Sequence, residues 1–206
     1  RVAHDVAGFS SDMRLIMVAA TAGTIVGGAM IPWMARVMHR GIAAFERTGS
    51  LPGALARMAS PSVLLWVWEQ FRLPTASSLR YSAKSLPKSA LLWNTVVMAF
   101  WVAGPLSALL ASVLAPTLAV TCVAASGLIT GVATVTLTLI VDPAAALITD
   151  QAAQGSRPEA DLKAMLLYLV VTAVVGSIFA QLLLFPAANV IAVVARFLYD
   201  HGFQKV

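Results

Sequence analysis

The side chains with reactive potential in this sequence are few and badly placed for catalysis. Asp142 and Asp150 stand eight residues apart, about 80° around a helix, and no paired DxxxD cluster offers a seat for a magnesium-bound diphosphate. No HExxH zinc pair, no GxGD aspartyl motif and no GxxxxGK[ST] phosphate loop occurs. Ser126-Gly127 follows Ala124-Ala125, so the GxS context of a membrane serine nucleophile is missing. Cys122 is the single cysteine, and His4, His39 and His201 are scattered, so neither a thiolate cluster nor a histidine metal site is expected. Catalytic residues, metal and cofactor are therefore all expected to be none. Cationic groups are abundant instead. Arg36, Arg40, Arg47, Arg57, Arg72, Arg80, Lys84 and Lys88 crowd one segment that holds only Glu46 and Glu69 in opposition. They form no basic stripe with interleaved aromatics for base stacking, so no nucleic acid is expected. A net charge of +5 suits anionic head groups of membrane lipids.

The elements that must position these groups follow from composition. Of 206 residues, 59% are hydrophobic and 11% charged, with a mean hydropathy of +0.84. A water-soluble chain of this size needs far more polar surface. Apolar residues come in unbroken blocks without the period-two alternation of a barrel, and each block is long enough to cross ~30 Å of hydrocarbon. The expectation is an all-α, polytopic integral membrane bundle forming a single transmembrane domain over 1–206, with about four spans. The run from Ser89 to Val141 has no charge at all; as one helix it would be ~80 Å long, so it must fold as two spans broken near Pro116.

Spans are expected at about 13–35, 89–113, 117–141 and 164–185. A basic loop, 36–88, contains an interfacial helix at 62–73 built around Trp66, Trp68 and Phe71. The positive-inside rule puts this loop in the cytoplasm. Asp142 before Pro143 reads as an N-cap opening a cytoplasmic helix and loop, 143–163. Pro186 reads as a break, followed by an interfacial or re-entrant helix at 187–199; a crossing at 173–198 kinked at Pro186 is the alternative. Pro105 should kink the second span. Gly23 and Gly27 in the first span, and Gly127 and Gly131 in the third, are four apart and suit close helix packing. Thr130, Thr134 and Thr138 continue a small, mildly polar ridge. Asn94, Gln181 and Asn189 need a protein partner or a wet cavity, because an unpaired amide in hydrocarbon costs several kcal/mol.

Specific strings add a resemblance. The stretch SGLITGVATVTLTLIVDPAAALITDQAAQG, 126–155, resembles the signature of the Amj family, alternate lipid II flippases of bacteria; Ser126, Gly127, Gly131, Ala133, Thr134, Asp142, Pro143, Thr149 and Asp150 fit it. ATAGTIVGGAMIPWMARV (20–37), LPKSALLWNTVVMAFWVAGPLSALLAS (86–112) and AQLLLFPAANVI (180–191) match in order. Thr130 replaces a usual asparagine, Thr117 an acidic residue, and Pro105 is unusual. The family carries helices ahead of the position of Arg1, so a partial chain is expected.

The resemblance implies a flippase and not a chemical catalyst. It would move undecaprenyl-diphosphate-linked peptidoglycan precursor across the bacterial cytoplasmic membrane. Its partners would be that prenyl-diphosphate-linked glycopeptide lipid, membrane lipids and cell-wall synthesis proteins. In that light Arg36, Arg40 and Arg80 are candidates to catch the diphosphate. Asn94, Thr130, Thr134 and Gln181 would line the path, and Asp142 and Asp150 would gate it. The rival reading is a non-transporting scaffold that gathers cell-wall enzymes on its GxxxG faces.

Overall fold

Glycine 49 ends the first helix. It adopts φ +61°, a conformation costly for residues with a Cβ, and its N–H returns to the Phe45 carbonyl at 2.8 Å. Up to that point the backbone is one helix, α1, Val2–Thr48. The computed structural model describes residues 2–71 and 85–202, except for the side chains of residues 2–5, 64, 201 and 202. After α1 come α2 (Leu51–Met58), α3 (Pro61–Glu69) and α4 (Lys88–Leu114). A 3-10 turn (Pro116–Leu118) leads into α5 (Ala119–Ala124) and α6 (Ser126–Thr136). A π-helical turn (Leu137–Val141) joins α6 to α7 (Asp142–Ala153), and α8 (Glu159–Gly202) closes the chain.

Among the described residues, four helical stretches are long and apolar enough to cross a membrane: Val6–Thr48, Lys88–Leu114, Pro116–Ala153 and Glu159–Asp200. The protein is thus an all-α, multi-pass membrane bundle. It divides into two compact units, one of Arg1–Ile25 with Tyr81–Val206, the other of Val26–Arg80.

The larger unit is built on α4 against α8. Both helices bury a row of residues at every fourth position, all of them small except Leu184. On α4 these are Ala99, Ala103, Ser107, Ala111 and Ala115, all buried. On α8 the row is Gly176, Ala180, Leu184, Ala188 and Ala192, also buried. Lipid tails are as apolar as leucine, so such helices gain little from the hydrophobic effect; close van der Waals approach has to hold them. Gly176 shows how close that approach is. A Cβ built on it would lie 2.4 Å from the Thr95 carbonyl oxygen and 2.9 Å from Met98 Cβ. Nearby, Asn94 Nδ2 donates to the Leu169 carbonyl at 2.9 Å and to Thr172 Oγ1 at 2.8 Å. The amide is buried and both of its protons are used, which fixes the two helices in parallel. Gly104 does the same service for α6, with Thr130 Cγ2 3.0 Å from its would-be Cβ.

Three prolines that read as breaks or kinks lie inside continuous helix: Pro105 in α4, Pro186 in α8 and Pro143 in α7. The expected break at Pro186 is absent, and α8 runs unbroken from Glu159 to Gly202. The expected cap at Asp142 is absent as well. Asp142 has helical φ −60° and ψ −45°, and its side chain caps nothing. The reason lies one turn earlier. Asp142 N–H bonds the Leu137 carbonyl, five residues back, so the helix widens just before Pro143. A π turn of this kind absorbs the extra residue, and the proline's missing donor no longer ends the helix.

In the smaller unit, Ser50 caps α2 by accepting from Gly53 N–H at 3.3 Å, and Pro61 opens α3 directly after Ser60. The short helix read at 62–73 is α3, and the part of that reading beyond Phe71 lies outside the described residues.

Candidate functional site

The smaller unit carries a basic groove, and one face of α1 builds most of it. Trp33, Arg36, Arg40, Ala43, Ala44 and Arg47 recur at helical spacing and so point the same way. α3 is pinned across that face. Trp33 Nε1 donates to the Val67 carbonyl at 2.8 Å, and Arg36 Nη2 to the Gln70 carbonyl at 2.8 Å. Gln70 is the C-cap of α3, where unpaired carbonyls and the helix dipole favour a cation. Phe71 packs edge-on to Trp33 at 5.9 Å and stacks on Trp68 at 6.4 Å. Arg40 lies over the Trp66 ring, 4.2 Å from its centroid, in cation–π contact.

What remains between α1, α2 and α3 is a groove of about 690 Å³, lined by Arg36, His39, Arg40, Arg47, Arg57 and Trp66 among others. That is ample for a small polar head group. His39, Arg40, Arg47 and Arg57 are exposed, and among the described residues none of them pairs with a carboxylate. Arg36 Nε is buried with no acceptor among the described residues. Four guanidinium groups and an imidazole surround one opening with no acid in its lining, a set of donors that suits an anion with several oxygens.

The sequence-derived candidates distribute unevenly over this geometry. Arg36 and Arg40 line the groove, Arg36 also serving as a tie to α3. Arg80 lies outside the described residues. Asn94 is spent on joining α4 to α8. Thr130 and Thr134 donate to their own helix, to the Ser126 carbonyl at 3.1 Å and the Thr130 carbonyl at 2.8 Å. Gln181 donates to the Arg14 carbonyl at 3.2 Å. Asn189 is exposed on α8. Asp142 and Asp150 are exposed and pair with no basic residue among those described. The spaced glycines make no close approach within this chain: a Cβ at Gly23, Gly27, Gly127 or Gly131 would meet nothing within 4 Å. The tight contacts fall at Gly104 and Gly176 instead.

Sequence reading did not bring His39, Arg47 and Arg57 into the groove. The signal was present, since 36, 40, 43 and 47 share a helix face once the first helix is extended to Thr48. A second polar cluster escaped it too. Arg157 donates to Asp161 at 2.8 Å, to Gln151 Oε1 at 3.2 Å and to the Ser85 carbonyl at 2.6 Å. It thereby pins the start of α4, the end of α7 and the start of α8 together. Asp161 sits in the polar stretch ahead of the apolar run that begins at Ala164. The Arg157 hydrogen bond, helped by Ser85, holds its carboxyl below the ordinary value.

Among the described residues no group of three His, Cys, Asp or Glu side chains is placed to hold a metal. The Amj family model, described as alternate to MurJ, matches residues 2–195. The lipid II flippase Amj of Bacillus subtilis (strain 168) is 32% identical over 181 residues, which cover 87% of this chain and 67% of that protein. No solved structure matches the chain. The match over nearly its whole length places this multi-pass membrane protein in the Amj family.

Proposed function

We propose that this protein is a lipid II flippase of the bacterial cytoplasmic membrane, moving a prenyl-diphosphate-linked peptidoglycan precursor from the cytoplasmic leaflet to the outer one. Family membership and the relative's activity support the substrate, and one observation in this chain carries the reading: the acid-free basic groove of Arg36, His39, Arg40, Arg47 and Arg57. A diphosphate carries its charge on several oxygens, which guanidinium forks bind in pairs. Within this reading the groove collects the head group on the cytoplasmic side, where the positive-inside rule puts so basic a segment. The protein acts by binding and releasing, with no covalent step on the substrate.

A scaffold for cell-wall enzymes would need none of this groove chemistry. The two readings separate in cells depleted of their own lipid II flippases. A flippase restores growth, and loses that ability when Arg47 and Arg57 are both changed to Gln at equal protein level. A scaffold either fails to restore growth or restores it with the groove neutralised.

A further inference from the structure

We propose that Arg14, where α1 meets α8, is a seat for the phosphate of a membrane lipid. Gln181 and Phe185 of α8 form the rest of it. Gln181 Nε2 holds the Arg14 backbone carbonyl at 3.2 Å, which brings the two helices together at this level. The Arg14 guanidinium lies over the Phe185 ring at 5.8 Å, and among the described residues no carboxylate pairs with it. Its surroundings are not aqueous in character. Leu15 is 69% exposed and Leu182 70% exposed, which marks this wall as lipid-facing.

An arginine on a lipid-facing wall needs an anion, and an unpaired one is a functional site until a partner is found. The depth says which anion. The uncharged run of α8 reaches from Ala164 to Ala195, and Gln181 and Phe185 stand about 26 and 32 Å along it, counted from Ala164. That matches the ~30 Å of hydrocarbon. Counted from the end that holds Arg157 and Lys163, Arg14 stands one hydrocarbon thickness away, at the opposite head-group level, where lipid phosphates are the available anions. Two sources share this chemistry, an anionic phospholipid and the diphosphate of a prenyl carrier. The carrier arm alone rests on the flippase reading.

The test uses the purified full chain and native mass spectrometry with two probes, phosphatidylglycerol and farnesyl diphosphate. Losing a charge-assisted pair should lower retention about tenfold in Arg14→Gln. Loss of phosphatidylglycerol alone marks a phospholipid seat, and loss of farnesyl diphosphate marks a carrier seat. Unchanged retention of both overturns the proposal. Should Arg14→Gln not fold, the wild type decides. Either probe carrying a diazirine beside its phosphate should label the segment Leu182–Phe185, and absence of label there with both probes overturns the proposal equally. Neither readout involves transport, so a wild type that binds here but fails to restore growth would count against the flippase reading and not against this site.

Discussion

Individual side chains divide into those already committed to the fold and those left free, and the difference is measurable. Asn94 is committed. Asn94→Leu removes two buried hydrogen bonds, although the Thr172 hydroxyl keeps its own bond to the Tyr168 carbonyl at 2.7 Å. The expected cost is about 1–2 kcal/mol, read as a lower melting temperature in detergent. Asp142 is free of any cap. Asp142→Asn should leave the melting temperature unchanged, and a clear drop would return it to a structural role. That Asn94 required a protein partner was legible from one amide in a long apolar run. The absence of a cap at Asp142 was not, because Asp-Pro looks like a helix start unless the π turn before it is known. The threonines show a local commitment that spacing does not reveal. Their spacing suggests a polar ridge, yet each hydroxyl has an acceptor four residues back on its own helix, a local bond always on offer to threonine in lipid.

At the scale of elements, stability should follow the small-residue rows of α4 and α8. Gly176→Ala forces a methyl against the Thr95 backbone oxygen, which cannot rotate away. The two helices must then spread, at about 1–3 kcal/mol. Gly131→Ala meets open space and gains helix propensity, so its melting temperature should hold or rise slightly. These rows were legible as letters, since Ala99 to Ala115 and Gly176 to Ala192 repeat by fours. GxxxG pairs drew the eye because glycine is the extreme case, whereas alanine ladders pack by the same physics. The polar knot at Arg157 adds a pH-dependent element. The Asp161 carboxyl is lowered in the folded state, so its contribution is present above the unfolded carboxyl value of about 3.9 and is lost as pH falls through the folded value. The melting temperature of the wild type should therefore decline over this acid range more steeply than that of Arg157→Gln, and equal slopes would remove the knot from the account.

For the whole molecule, the class of fold was plain from block hydropathy, while helix ends were not: three prolines that signal breaks in water are tolerated inside long apolar helices. The groove on Val26–Arg80 was half legible, as a density of arginines without a shape. Its assignment to the cytoplasm is open to direct labelling. Cys122 is fully enclosed, so a thiol introduced at an exposed position reports without background. Glu46→Cys should react only from the cytoplasmic side and Thr117→Cys only from the outside. The most direct measurement is translocation itself, in vesicles reconstituted with the purified chain and fluorescent lipid II in one leaflet. The account predicts transfer to the other leaflet by the wild type, and transfer at least about tenfold slower when Arg47 and Arg57 are both changed to Gln, as the loss of charge-assisted diphosphate contacts requires. Lipid II that stays in its original leaflet with the wild type, or crosses equally fast with the groove neutralised, would contradict it.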